Sequence, residues 1–166
     1  MISKRLLCIS PLVPFAAAAQ TALYTDATET HLPMDIAGPC MAAAAGDMDG
    51  DGDLDLPLAM QFQPNILLAN DGSGRFSNVS TQLPRTEHDS EEVAFFDFDG
   101  DGDLDLVFVS EDDQTDELFI NLIQGRYTDA SMRLDAGETT STALAILDLS
   151  NDGFPDVLTG NIGTDL

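Results

Sequence analysis

Short apolar runs alternate with acidic, glycine-bearing turns along most of this chain. "MAAAAG", "EVAFFD" and "TALAIL" each precede an acidic cluster, and "LDLPLAM", "LDLVFVS" and "PDVLTG" follow one at once. After further turns marked by Gly, Asn and Asp come "NILLAN" and "ELFINL", then "GRFSNVS" and "GRYTDAS". Runs of this length suit strands and are too short for helices. "FFDFDGDGDLDLVFV" carries no helical stripe, and its glycines would weaken a helix further. The pattern predicts an all-β chain built from units of four short antiparallel strands.

The units repeat. The acidic clusters begin at Asp47, Asp97 and Asp148, spaced 50 and 51 residues apart. The stretch from Asn65 to Ser80 aligns without gaps on the one ending at Ser131: Leu67 matches Leu118, Gly74 Gly125, Arg75 Arg126, Phe76 Tyr127 and Ser80 Ser131. Near the start, "LYTDATETHLP" echoes "RFSNVSTQLP", placing Tyr24 where Phe76 and Tyr127 sit. Four strands repeated at this period predict β-propeller-type blades over about 40–84 and 91–137, with a partial one over 141–166. A leading strand at Leu23 to Asp26 suits completion of a blade formed elsewhere in the ring. Closed propellers use at least four blades, roughly two hundred residues at this period. The expectation is therefore a fragment or truncated reading frame; the alternative is a small open array that self-associates through exposed blade edges.

Charge narrows the functional classes. Thirty acidic residues against six basic ones leave a net charge of -24 over 166 residues. Nucleic-acid binding, which needs clustered Lys and Arg, and attachment to anionic membranes are both disfavoured. With 43% hydrophobic residues, one domain with a real core is expected. Residues 1–19 read as an export signal: Lys4 and Arg5, an apolar core from Leu6 to Phe15, then Ala17 and Ala19 as a small-x-small cleavage pattern before Gln20. The apolar stretch is short for a transmembrane span, and Pro11 and Pro14 argue against a buried helix. The expected location is secreted, periplasmic or cell-surface, with no membrane insertion after cleavage. Cys40 is then the one cysteine left, so no internal disulfide forms; beside "MAAAA" it reads as a buried thiol.

Aspartates crowded this densely repel one another unless a counter-charge sits among them. In the first cluster Asp47, Asp49, Asp51 and Asp55 stand at loop positions 1, 3, 5 and 9, with the carbonyl of Asp53 as a further oxygen. Gly50 and Gly52 fall where the backbone must curl through positive φ. Hard oxygen donors in a flexible cage suit calcium better than magnesium, and the loops hold no His or Cys for zinc or copper. The second cluster repeats the set with Asp97, Asp99, Asp101, the carbonyl of Asp103, and Asp105. The third offers Asp148, Ser150, Asp152, the carbonyl of Phe154, and Asp156; Ser150 replaces a carboxylate, which predicts weaker binding. Asn151 stands there in place of a glycine and is the side chain best suited to left-handed geometry. Up to three calcium ions are expected. An EF-hand needs a bidentate Glu at position 12 and flanking helices. Position 12 here is Leu58, Phe108 or Thr159, and the flanks are strand-like. A solvated acidic turn without an ion is the blander reading; three clusters at fixed spacing, each with Gly or Asn where the turn needs it, argue against it.

The motifs "DMDGDGDLDL", "DFDGDGDLDL" and "DLSNDGFPDVL", with "NDGSGRFSNVS" downstream, resemble the FG-GAP and VCBS repeat families over nearly all of Gln20 to Leu166. The Phe-Gly and Gly-Ala-Pro signatures are absent, so the chain is more similar to the VCBS-type branch. The resemblance implies a β-propeller with calcium in the hairpin joining the first two strands of each blade. It does not imply one activity, since such propellers serve adhesion proteins, lectin-like modules and polysaccharide lyases.

No nucleophile, metalloprotease or phosphate-cradling motif appears. His31 lies in "ETHLP", and His88 in "RTEHDSEE" reads as a loop residue with acidic neighbours rather than a general base. Tryptophan is absent, leaving Phe62 and Tyr127 as sugar-stacking candidates. The expected function is a secreted, non-catalytic, calcium-binding scaffold for extracellular recognition or adhesion, with a protein or glycan as ligand. The alternative is the scaffold portion of a larger secreted carbohydrate-active enzyme such as a polysaccharide lyase.

Overall fold

The computed structural model describes residues 7–9, 24–111, 114–134 and 138–162. Most of the expected export signal therefore lies outside the described residues. Its strand β1 (Leu7–Ile9) pairs antiparallel with β2 (Tyr24–Asp26), the expected leading strand. A single helical turn, α1 (Thr28–His31), holds His31 at its end.

The first blade is a meander of β3 (Cys40–Ala43), β4 (Leu56–Met60), β5 (Ile66–Asn70) and β6 (Phe76–Asn78) in sequence order. The second uses β7 (Ser90–Phe96) and β8 (Asp105–Ser110). After a short β9 (Gln114–Thr115) it continues with β10 (Glu117–Ile123) and β11 (Arg126–Asp129). A two-residue β12 (Glu138–Thr139) pairs with β9, and the third unit is the hairpin β13 (Ser141–Leu147) and β14 (Asp156–Asn161). Among the described residues all pairings are antiparallel, and the sheets form an array of blades that does not close into a ring. Strands fall within one to three residues of the apolar runs that predict them, because hairpin pairing follows the alternation of side chains across a sheet.

The repeated Ser80 and Ser131 have a common task. Each hydroxyl accepts the backbone N–H of the third strand, from Leu67 at 3.0 Å and Leu118 at 3.1 Å. Each also donates to a side-chain oxygen two residues earlier, on Asn78 at 2.6 Å or Asp129 at 2.7 Å. This arrangement starts a 3-10 turn that closes each four-stranded unit.

Core forms between blades. Ala42, Ala44, Ala59 and Leu67 of the first blade meet Val93, Phe95 and Phe108 of the second. The run of small residues makes room for the rings: a Cβ added at Gly46 would sit 2.6 Å from Phe95 Cδ2 and 2.9 Å from Leu104 Cδ1. On the far side of the second blade, Phe96, Val107 and Leu118 pack against Leu144, Ile146 and Val157 of the third. Both faces of β8 are covered, so every residue from Asp105 to Ser110 is buried. A strand enclosed in this way reads as a continuous apolar run, as "LVFV" does. Full burial of a side chain such as Leu118 contributes about 1.5–3 kcal/mol. The opposite face of the β13–β14 hairpin is open, with Leu147 and Leu158 42% and 52% exposed.

Two sequence expectations are corrected here. Cys40 is exposed, not buried, because it opens β3 at the free edge of the first blade; its Sγ donates to Ala42 O at 3.3 Å. Tyr127 is buried within the core between the first two blades, and its hydroxyl donates to Leu104 O at 3.0 Å, so it offers no stacking surface. Phe62 remains exposed on the β4–β5 turn.

Candidate metal centres

The acidic clusters form the tips of the first hairpin of each unit. Gly46 pairs with Asp55, Phe96 with Asp105 and Leu147 with Asp156, so the tips run over 47–54, 97–104 and 148–155. Position 12 lies within a strand each time, at Leu58, Phe108 and Thr159, which is incompatible with an EF-hand.

Each tip curls around its first aspartate. Asp47 accepts N–H groups from Gly50 at 2.8 Å, Asp51 at 3.1 Å and Gly52 at 3.0 Å. Asp97 accepts from Gly100 at 2.8 Å and Gly102 at 3.1 Å, and Asp148 from Asp152 at 3.1 Å and Gly153 at 3.0 Å. The curl requires positive φ at two positions per tip. Gly50 and Gly52 stand at 78° and 93°, Gly100 and Gly102 at 78° and 94°, and Asn151 and Gly153 at 58° and 91°. Asn151 therefore replaces glycine at the position that the sequence assigned to it.

Position 5 supports the turn as well. Asp51, Asp101 and Asp152 each accept, at 2.9 Å, the N–H of the residue two further on: Asp53, Asp103 and Phe154. The Asp53 side chain leans away toward Gly72, where an added Cβ would lie 2.5 Å from Oδ2. Asp103 is exposed.

Position 9 pins the tip to the sheet. Asp55 is 1% exposed and accepts Met48 N at 3.0 Å on one oxygen and Asn70 N at 2.8 Å on the other. Asp105, 0% exposed, does the same with Phe98 N at 2.7 Å and Asn121 N at 2.8 Å. In the third tip Asp156 takes Leu149 N at 2.7 Å and Ser150 N at 2.9 Å on a single oxygen. The donors Asn70 and Asn121 come from third strands, which have no counterpart in the third unit among the described residues.

Carboxylate oxygens of Asp47, Asp49 and Asp55 lie within 4.8 Å of one another, as do those of Asp97, Asp99 and Asp101. Asp51 falls outside the first group and Asp105 outside the second; among the described residues no such group includes Asp148, Asp152 or Asp156. Burial pushes the pKa of Asp55 and Asp105 up; the N–H bonds of Asn70 and Met48, and of Asn121 and Phe98, pull it back, and neighbouring aspartate charges raise it again. Asp49 is likewise raised, by desolvation and then by the charges of Asp51 and Asp47, against a backbone bond from Asp51. Each carboxylate oxygen that accepts one N–H keeps a second lone pair. The first two tips therefore present spare, mutually repelling oxygens at a spacing that fits one hard cation.

A third acidic group escaped the sequence reading. Asp89, Glu91 and Glu111 gather within the same 4.8 Å at the opposite end of the β7–β8 hairpin, brought together by the pairing of Ser90 with Ser110. Nothing beyond acidity points to an ion there. His88 faces a carboxylate that sequence proximity did not indicate: its Nδ1 is 3.5 Å from Glu117 Oε1 on β10. Burial raises the Glu117 pKa, opposed by Thr86, His88 and Asn65.

An array of four-stranded antiparallel blades with acidic tips on their first hairpins defines a β-propeller-type repeat protein. Residues 58–108 and 97–159, together spanning more than half of the chain, match the FG-GAP-like repeat, and the chain belongs to that family. The family is a non-catalytic repeat, typically extracellular. No curated protein matches the chain. Among the described residues, no helix is long and apolar enough to cross a membrane.

Proposed function

We propose that this protein is a calcium-binding, extracellular recognition or adhesion scaffold without catalytic activity of its own. The observation that carries the reading is the pair of aspartate groups, Asp47, Asp49 and Asp55 and then Asp97, Asp99 and Asp101, on tips whose glycines hold the oxygens together. Asp51, the carbonyl of Asp53, the carbonyl of Asp103 and Asp105 would complete the two sets. Asp148, Ser150, Asp152, the Phe154 carbonyl and Asp156 would form a third, weaker one. A bound calcium ion supplies positive charge that neutralises the clustered carboxylates and braces the hairpin.

The chain's own residues support this role. Asp55 and Asp105 tie each tip to the third strand, so a braced tip also stiffens the blade. Loops held on such a frame carry recognition in many folds. We place the protein outside the cytoplasm, by its export-like start and its family, with a protein or glycan as ligand. Self-association through exposed blade edges is part of the proposal.

The test is a pair of thermal melts by circular dichroism, one with millimolar calcium and one with EDTA. Calcium is expected to raise the midpoint well above that in EDTA; superimposable melts would refute the reading.

A further inference from the structure

We propose that Asn121 couples the first two acidic tips, so that a cation bound at one raises the affinity of the other. The inference rests on the metal-binding reading above and adds a relationship between its sites. Asn121 lies on β10, is 1% exposed, and uses all of its polar side-chain atoms. Its backbone N–H donates to Asp105 Oδ1 at 2.8 Å. Its side-chain amide donates to Met48 O, within the first tip, at 2.8 Å and to Leu104 O, within the second, at 3.2 Å. Its Oδ1 accepts Gly125 N at 3.2 Å, which leaves one orientation of the amide able to satisfy every partner.

These bonds join the two candidate centres. Met48 N donates to Asp55 Oδ2 at 3.0 Å, while Met48 O receives the Asn121 amide. A continuous path therefore runs from the Asp55 carboxylate through one residue's peptide groups to Asn121, and from Asn121 N–H to the Asp105 carboxylate. Met48 is itself fixed, 3% exposed and packed in the core between the first two blades. The repeat supplies the matching residue in the first blade, which has no preceding tip to reach among the described residues. Asn70 occupies the matching place in the first blade and makes the matching bonds, its N–H to Asp55 and its amide to Leu54 O at 3.2 Å. Its Oδ1 accepts Gly72 N and Gly74 N, both within its own blade. The reach across to a neighbouring tip thus belongs to Asn121.

A cation that fixes the first tip holds the Met48 carbonyl in place for the Asn121 amide. That anchors the N–H group orienting Asp105, so less ordering remains when the second tip closes. Coupling of this kind travels through a connected set of hydrogen bonds and acts equally in both directions.

The experiment is a calcium titration by calorimetry on the full chain, with the third tip silenced by Asp148→Asn in every sample. Asp97→Asn removes a ligand from the second tip only. It is expected to raise the Kd of the first tip by about fivefold or more, the low end of ordinary coupling between sites. In Asn121→Leu, or in Asn121→Ser as a smaller change, the same Asp97→Asn substitution is expected to leave the first tip's Kd unaltered. An unchanged or lower Kd at the first tip when Asn121 is intact overturns the coupling, and that measurement does not depend on the folding of any Asn121 variant. Persistence of the effect without Asn121 also overturns it. Absence of binding at both tips overturns the metal reading and the coupling together, whereas two independent binding events overturn the coupling alone.

Discussion

The side-chain amide of Asn65 donates to Ser90 Oγ at 3.0 Å, joining the turn before the first blade's third strand to the opening residue of the second blade. Fifty-one residues on, Ser141 and Asp116 make the same junction between the second and third units, at 3.2 Å. Asn65 Oδ1 accepts Met60 N at 2.9 Å and Asp116 Oδ1 accepts Ser110 N at 3.0 Å, so the two clasps share their anchoring as well. By register Cys40, paired with Met60, stands where Ser90 and Ser141 stand, at an edge that no other blade covers among the described residues. Its exposure follows from that position.

The second clasp buries a carboxyl group where the first uses an amide. Burial raises the pKa of Asp116, against the Ser110 N–H and the Ser141 hydroxyl. That hydroxyl has one proton and faces both Asp116 Oδ2 and Asn161 Oδ1, the latter at 2.9 Å. Asp116→Asn would keep the Ser110 bond, donate to Ser141 Oγ and free the hydroxyl proton for Asn161. We expect it to stabilise the chain by about 1 kcal/mol at pH 7, with the gain shrinking as pH falls toward 4, because burial favours the protonated aspartate. Urea unfolding at the two pH values measures this, and a lower midpoint for the variant at pH 7 contradicts it.

The stability of the calcium-free chain should fall as pH rises. Asp49, Asp55, Asp105, Asp116 and Glu117 all have folded pKa values above their ordinary ones. A carboxyl raised on folding contributes stability that is fully present below its unfolded pKa, roughly 4, and lost as pH climbs through the folded value. Asp71, lowered by its hydrogen bonds with Ser73, acts in the opposite sense from a fully exposed site and is screened by solvent. Melts in EDTA from pH 4.5 to 7.5 should show a declining midpoint. With calcium the trend should reverse, because protons compete for the same oxygens; parallel trends with and without calcium would count against the metal-binding role of these carboxylates.

Backbone strain at the tips can be isolated from packing. Gly102 has φ at 94°, and a Cβ added there would meet nothing within 4 Å. Gly102→Ala therefore makes no clash and costs only conformational strain, about 1–2 kcal/mol. Asn151, at 58°, already tolerates its turn, and Asn151→Gly should change stability by less than about 0.5 kcal/mol. Thermal melts of both variants in calcium-free buffer separate the cases, and equal effects would show that φ is not what selects these residues.

The tips should differ in affinity. Asp97 stands within 4.8 Å of two other carboxylates, whereas Ser150 offers a neutral hydroxyl in a tip whose aspartates form no such group among the described residues. Asp97→Ala is expected to weaken calcium binding more than Ser150→Ala in calorimetric titration, and a larger loss at Ser150 would reverse the ranking.

Much of the architecture could be read from residue order. The fifty-residue repeat, four strands per unit, the acidic hairpin tips and the role of Asn151 all appear in the structure, since each depends on neighbours along the chain. Asp47 reaches its donors within five residues, and Asp55 reaches Met48 within seven. Such contacts need little loop closure and follow from local turn chemistry. Other features came from blades meeting. The burial of Tyr127, the exposure of Cys40, the approach of His88 to Glu117 and the gathering of Asp89, Glu91 and Glu111 depend on which faces are covered and on strand register. So does the Asn121 amide on Met48 O, which spans 73 residues. Turn geometry is set by the residues that make the turn, whereas a contact between blades exists only where two sheets pack face to face, and neither sheet's sequence alone states how its neighbour will sit.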